Sequence, residues 1–212
     1  MIAIIDYGMG NLYSVSKALS FLGGRVQITS DPRAVGRAKA LVFPGVGAFA
    51  EAMGELKRRR LVEPIVGSIR EDKPFLGLCL GLQLLFASSE ESPGVKGLGV
   101  LPGRVRRLPR SRNLKVPHMG WNQIETVKSE KLRVKNLLLK DVPEGAFMYF
   151  VHSFYAEPKN KETILTMTEY GCRFPSIIWN QRNLWATQFH PEKSQRWGLR
   201  ILKNFLNEVA SC

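Results

Sequence analysis

The 212-residue sequence predicts an α/β fold: one domain over residues 1–212, built on a mixed, largely parallel sheet flanked by helices, with a more antiparallel C-terminal half. Three observations predict it. Short apolar runs alternate with helical patterns through the first 90 or so residues, with short connections. From residue 100 onward the pattern changes to strand-like segments separated by turns. Between the two, a cysteine stands at a glycine-flanked corner from strand to helix.

Ile2 to Asp6 is an apolar run that suits a buried strand. Gly8-Met9-Gly10-Asn11 is a turn, and Leu12 to Leu22 is a helix stopped by Gly23-Gly24. Arg25 to Thr29 alternates as a second strand, Ser30-Asp31-Pro32 opens a short helical turn, and Ala40 to Phe43 is a third strand. Pro44-Gly45-Val46-Gly47 leads into a helix through Arg60 and another from about Leu61 to Arg70. Phe75 to Leu78 is the fourth strand. It runs into a helix whose Leu82, Leu85 and Phe86 share one apolar face. Ser88 to Leu98 is loop-like. Val100 to Leu108, Trp121 to Val127, Ala146 to Tyr155, Thr163 to Tyr170, Ser176 to Asn180 and Leu184 to Phe189 are strands, and an amphipathic helix runs from about Ser194 to Val209. No internal repeat or linker is visible.

Composition narrows the class. Hydrophobic residues at 44% and charged residues at 23% are ordinary for a water-soluble globular chain with a sizeable core. The N-terminal apolar run is too short for a signal peptide or a membrane span, so no membrane association is expected. Cys79, Cys172 and Cys212 are odd in number and widely spread, which makes neither a disulfide framework nor a zinc pattern and points to a reducing cytoplasm. The formal net charge is +13, concentrated in Lys57-Arg58-Arg59-Arg60 and in the Arg104 to Arg112 segment. Such a balance suits nucleic acid, an acidic partner or a solvated surface. No helix-turn-helix, zinc-finger or RNA-recognition signature supports nucleic acid, and an acidic partner is the better expectation. The first basic run ends a helix, where cations complement the dipole.

Candidate chemistry starts at Cys79. Gly77 and Gly81 flank it, as glycines flank the serine of the G-x-S-x-G nucleophile elbow. A sulfur at a helix N-terminus is favoured as thiolate. The alternative is a structural cysteine in a glycine-rich turn. His190 is its natural partner, because it follows a strand and can meet the elbow at the edge of a parallel sheet. In extended chain His190 and Glu192 face the same way, about 7 Å apart along the backbone. The carboxylate can hold one ring nitrogen protonated and leave the other facing sulfur. Glycines in Pro44-Gly45-Val46-Gly47 leave N–H groups unobstructed, so Val46 and Gly47 can stabilise an oxyanion together with the Leu80 N–H. Tyr149-Phe150-Val151-His152-Ser153-Phe154 is aromatic and strand-like, and His152 taken alone is a satisfied core histidine.

Six stretches together resemble the class I, or triad, glutamine amidotransferases: Asp6 to Leu12, Pro44 to Phe49, Gly77 to Gln83, Lys115 to Asn122, Tyr149 to Tyr155 and Gln188 to Ser194. The elbow and the His-Pro-Glu motif carry the superfamily. The DYGMGN and KVPHMGWN stretches are similar to the branch that serves as glutaminase subunits of imidazole glycerol phosphate synthase. The anthranilate branch usually has His where Leu82 stands and lacks KVPHMGWN, and the vitamin B6 branch usually has a different elbow. The resemblance implies a flavodoxin-like fold and a Cys79-His190-Glu192 triad that hydrolyses glutamine to glutamate. It implies a glutamine pocket shaped by Gly47, Gln83, Ser153 and Phe154. It also implies ammonia transfer to a (βα)₈-barrel synthase partner, met by Asn11, Trp121, Tyr149 and Lys193, with neither cofactor nor metal. In that branch the glutaminase is weak until the partner binds its nucleotide substrate. Two other readings stay open on the sequence: a stand-alone Cys-His hydrolase, and a non-catalytic basic binding module.

Overall fold

A computed structural model of the chain describes residues 1–110, 114–127 and 137–211. Its centre is an eight-stranded sheet. In spatial order this sheet runs β2 (Val26–Thr29), β1 (Ile2–Ile5), β3 (Ala40–Gly45), β4 (Phe75–Cys79), β12 (Leu184–Thr187), β11 (Arg173–Trp179), β10 (Ile164–Glu169) and β7 (Glu125–Thr126). The strands from β2 to β12 are mutually parallel, and those from β12 to β7 alternate in direction. With β12 as the fifth parallel strand the order is the doubly wound 2-1-3-4-5 pattern, whose ligands sit outside the carboxyl ends of the strands.

Two cores explain why β1, β3 and β4 read as unbroken apolar runs. Ile2 and Ile4, Ala40 and Val42, and Leu76 and Leu78 face one side of the sheet. There they meet α1 (Leu12–Phe21) and the C-terminal helix α6 (Gln195–Ser211), through Val15, Leu19, Ile201 and Phe205. Ala3 and Ile5, Leu41 and Phe43, and Phe75 face the other. There they meet α2 (Pro32–Arg37), α3 (Phe49–Arg58) and α4 (Val62–Arg70), through Val35, Leu56 and Ile65. A strand covered on both faces has no polar side to alternate with. The basic run does end a helix: Lys57 and Arg58 occupy the last turn of α3, and Glu55 accepts from Arg58 Nε at 2.9 Å and Arg59 Nε at 3.1 Å. Part of the second basic run, 111–112, lies outside the described residues, as does Cys212.

Two antiparallel ribbons stand apart from the main sheet: β5 (Gly103–Arg107) with β9 (Phe154–Pro158), and β6 (His118–Gln123) with β8 (Phe147–His152). The single strand expected from Ala146 to Tyr155 is therefore two. The chain leaves one ribbon after His152, turns at Ser153 and joins the other at Phe154. Both halves alternate, and a two-residue period does not show a change of partner. The elbow helix is also shorter than its apolar spacing suggests. α5 spans Leu80–Gln83, after which Leu84 to Phe86 turn away and Phe86 bridges to Leu101. Leu82, Leu85 and Phe86 are buried all the same, so the apolar pattern reports burial here and not helix length.

Candidate active site

Three strand ends converge at the carboxyl edge of the sheet. Gly45 at the end of β3 pairs in register with Cys79 at the end of β4. Thr187 at the end of β12 pairs with Leu78, so Gln188, Phe189 and His190 emerge beside the cysteine. Parallel pairing thus brings together segments that lie far apart in the chain.

Cys79 has φ +53° and ψ −105°, a conformation an L-residue adopts only under local constraint. The flanking glycines make it possible. A Cβ on Gly81 would collide with the Phe43 carbonyl, and one on Gly77 would press within 3.2 Å of Ala186 Cβ and the Gly81 carbonyl oxygen. The thiol is 6% exposed. Its sulfur lies 3.8 Å from the Val151 carbonyl and 3.9 Å from Gln188 Nε2. With only one helical turn after it, the elbow draws less on a helix dipole than a full helix would supply.

His190 and Glu192 come together on a turn and not on extended chain. Pro191–Lys193 is a 3-10 turn, and it folds the carboxylate back so that Oε1 lies 2.9 Å from His190 Nδ1. Both side chains are buried. Burial by itself works against charge on His190. The charge and hydrogen bond of Cys79, and then the hydrogen bond and charge of Glu192, outweigh it and push its pKa up to about 10. Nδ1 is held by Glu192, which leaves Nε2 as the ring nitrogen on the Cys79 side. Ser194 anchors the turn: its Oγ donates to the His190 carbonyl at 2.6 Å and accepts from Tyr149 N–H at 2.9 Å, while His190 N–H donates to the Tyr149 carbonyl at 2.9 Å.

A cavity of about 360 Å³ opens over the cysteine, within the range of small-molecule pockets. Val46, Gly47, Leu80, Gln83, Ser153 and Phe154, the expected oxyanion and pocket residues, all line it with Cys79. Glu91, Pro117, Val151 and His152 complete it. A larger cleft of about 840 Å³ lies at the opposite edge of the sheet, against Met1, Lys39, Pro74 and Asn183. It holds no cysteine or histidine, so volume does not locate the chemistry here.

Gln188 and Tyr7 were not legible as site residues. Gln188 sits at the start of the motif that holds His190, yet only the fold places its amide between Cys79 and Gln83: Gln83 Nε2 donates to Gln188 Oε1 at 3.4 Å and to the Phe154 carbonyl at 2.8 Å. Tyr7 is fully buried beneath Gly45, where a Cβ would collide with its hydroxyl. Burial, then the charge of Cys79, push its pKa well above the usual tyrosine range, and its hydroxyl has no hydrogen-bond partner among the described residues. The DYGMGN stretch marked the loop as notable without saying that Tyr7 points inward.

Trp121, Tyr149 and Lys193 come together on an exposed face. Trp121 and Tyr149 are cross-strand partners with ring centroids 5.9 Å apart, and Lys193 Nζ lies 5.9 Å from the Tyr149 centroid. Trp121 is 46% exposed, and Met119 and Phe147 beside it are more so. Asn11 is engaged differently: its side chain caps α1, accepting from Ser14 N–H at 3.3 Å, and α1 packs against the Pro191–Lys193 turn. Among the described residues no group of three His, Cys, Asp or Glu could hold a metal ion, and no helix is long and apolar enough to cross a membrane.

Known proteins resemble this chain over almost its whole length. The family "Glutamine amidotransferase class-I" matches residues 3–209. A relative from Moorella thermoacetica, described as imidazole glycerol phosphate synthase subunit HisH, is 50% identical over 96% of this chain and 93% of its own. Relatives of the same description are 49% identical in Methanothermobacter thermautotrophicus, over 99% of both chains, and 46% identical in Desulfitobacterium hafniense, over 100% of this chain and 97% of its own. Among solved structures, one described as a glutamine amidotransferase superposes with a TM-score of 0.74 at 19% identity, covering 100% of both chains. The structure of PurLQS from Thermotoga maritima gives 0.75 at 14%, over 98% of this chain and 97% of that one. At those identities the superpositions speak for the fold. The family match and the close relatives speak for descent, and the chain belongs to the class-I glutamine amidotransferases.

Proposed function

We propose that this chain is the glutaminase subunit of imidazole glycerol phosphate synthase, a single amidotransferase domain over 1–212 working in the cytoplasm. The observation that carries the chemistry is the strained Cys79 over the cavity, with His190 beside it and Glu192 2.9 Å from the ring. The full-length likeness to subunits of that description supports the choice among glutaminases.

The Cys79 thiolate attacks the side-chain amide carbon of glutamine. Negative charge moves to the oxygen, where the N–H groups of Val46 or Gly47 and of Leu80 stabilise it. His190, held protonated by its surroundings, gives its proton to the leaving nitrogen as the C–N bond breaks and ammonia departs. A water then attacks the thioester, His190 takes its proton, and glutamate leaves with the thiolate restored. Glu192 holds the Nδ1 proton throughout and keeps Nε2 facing the reaction. Gly47, Gln83, Ser153 and Phe154 orient the substrate.

Ammonia passes to a (βα)₈-barrel synthase partner, which forms imidazole glycerol phosphate and an aminoimidazole carboxamide ribotide. The outer face of the β6–β8 ribbon suits that contact. Met119, Trp121 and Phe147 are exposed there, and Val151 of the same ribbon lines the cavity. Asn11, Trp121, Tyr149 and Lys193 are the proposed contact residues.

The test is Cys79→Ala in the assembled complex. Ammonia release from glutamine should vanish, while product formation from added ammonium continues, because the second chemistry belongs to the partner. Glutaminase activity near the wild-type level would overturn the triad. Glutaminase activity with no gain from any barrel partner would point to the stand-alone hydrolase instead.

A further inference from the structure

The chain has three histidines. His190 is accounted for, and the other two touch each other. His118 Nδ1 and His152 Nε2 are 3.0 Å apart, and both side chains are buried. His152 Nδ1 lies 3.0 Å from the Phe154 carbonyl oxygen, which can only accept, so that nitrogen carries the proton. In a neutral ring Nε2 then accepts, so His118 donates from Nδ1 and must accept at its own Nε2. Asn122 Nδ2 donates to it from 3.3 Å and also donates to the Glu169 carbonyl at 2.9 Å. One choice of tautomers therefore satisfies every ring nitrogen without a charge. Burial holds both rings neutral. It depresses the pKa of His118 to about 4, and burial, then His118, then His190 depress that of His152 to about 3. Neutrality matters beside His190, since a cation at His152 would oppose the imidazolium that the leaving group needs.

The pair sits where the pocket wall passes from one ribbon to the other. His152 is the last residue of one ribbon and Phe154 the first of the next. At this crossing the Phe154 carbonyl accepts two side-chain bonds, from His152 and from Gln83 Nε2 at 2.8 Å. Gln83 in turn reaches Gln188, and Gln188 the Cys79 sulfur. The His118 ring cannot rotate freely, because it stacks between Phe150, at 4.8 Å and 22°, and Tyr170, at 3.9 Å and 21°. The other end of the network is Asn122, the neighbour of the exposed Trp121.

We propose that His118 and His152 are positioning residues for glutamine: a neutral imidazole pair that fixes the Phe154 carbonyl, and with it Gln83 and the pocket wall opposite Cys79. Neither residue exchanges a proton with substrate. The proposal rests on the glutaminase reading above.

The experiment is glutamine turnover in the complex with the synthase partner, for wild type, His118→Phe and His118→Asn. Phenylalanine keeps the stacked ring and removes the donor. Asparagine places its amide near the Nδ1 position and restores it. His118→Phe should raise KM for glutamine by about tenfold, with kcat within about twofold, since the wall and not the nucleophile is disturbed. His118→Asn should recover most of the loss. A KM unchanged in His118→Phe, or a kcat loss without a KM change, would overturn the proposal. If His118→Phe does not fold, His118→Gln takes its place, because its amide reaches the Nε2 position and leaves His152 unpaired. Equal KM values for the glutamine and asparagine variants would then overturn it. Wild-type complex that does not hydrolyse glutamine at all would defeat the glutaminase reading instead, which separates the two failures.

Discussion

The parallel half of the sheet and the two antiparallel ribbons contribute to one cavity by different means. β1, β3 and β4 are buried along their whole length, and their ends present backbone: the Val46–Gly47 turn, the strained Cys79, the Leu80 N–H. The β6–β8 and β5–β9 ribbons alternate between buried and open positions, and they present side chains and a kinked crossing at Ser153. Close packing without side chains holds the first region, as at Gly81 against Phe43. Hydrogen bonds between side chains hold the second, as at His118 and His152. On the proposed reading the nucleophile sits on close-packed backbone, and the pocket wall on side-chain hydrogen bonds.

The contrast breaks most severely at Gly81. Gly81→Ala should cost about 3 kcal/mol or more, because the added carbon meets backbone that cannot give way. Urea unfolding should show it. A cost under about 1 kcal/mol would mean that the elbow is not close-packed. Gly120→Ala, in the ribbon and with open space around it, should cost less, from its φ of +134° alone.

Effects of the same order are expected at His190 and Glu192. His190→Ala should lower kcat by roughly 10³-fold or more, and Glu192→Gln by roughly 10²-fold, since one moves the proton and the other only orients. Equal losses would make the two a single unit. A pH titration sharpens the same point. The pKa of His190 is raised, so its interactions stabilise the fold fully below its ordinary value of about 6.5, and that contribution is lost as pH rises through about 10. In Cys79→Ala the first of the raising charges is gone, so the imidazole should titrate lower by NMR. An unchanged titration would mean that Cys79 is not the neighbour that holds the proton.

On the ribbon side, Trp121→Ala should weaken assembly with the synthase partner by about 2 kcal/mol, roughly 30-fold in Kd, and leave the melting temperature of the isolated chain unchanged, because the ring is half exposed. Titration calorimetry with the partner, paired with thermal melting, measures both. Full affinity would take the ribbon out of the interface.

The smallest effect is at Tyr7. Its buried hydroxyl has no hydrogen-bond partner among the described residues, so Tyr7→Phe should stabilise the chain by about 1 kcal/mol, or about 2–4 °C in Tm. A loss of stability would show that the hydroxyl is bonded in solution.

The fold class, the elbow and the three segments that converge on it can be read from local sequence. Buried parallel strands write themselves as apolar runs, and Gly77 and Gly81 mark the corner in the sequence, although Phe43 and Ala186, whose close approach requires them, belong to other strands. His190 and Glu192 were legible because they are two residues apart, although the turn that joins them was not. Where the Ala146 to Tyr155 segment breaks is set by long-range pairing, since both sides of Ser153 alternate alike and the choice of ribbon lies with distant partners. The same holds for Gln188, for Tyr7 beneath Gly45, and for the bond between His118 and His152. Each depends on residues brought within about 4 Å by chain pairing across 30 positions or more, and a buried polar group is defined by the partner it finds, which local sequence does not specify.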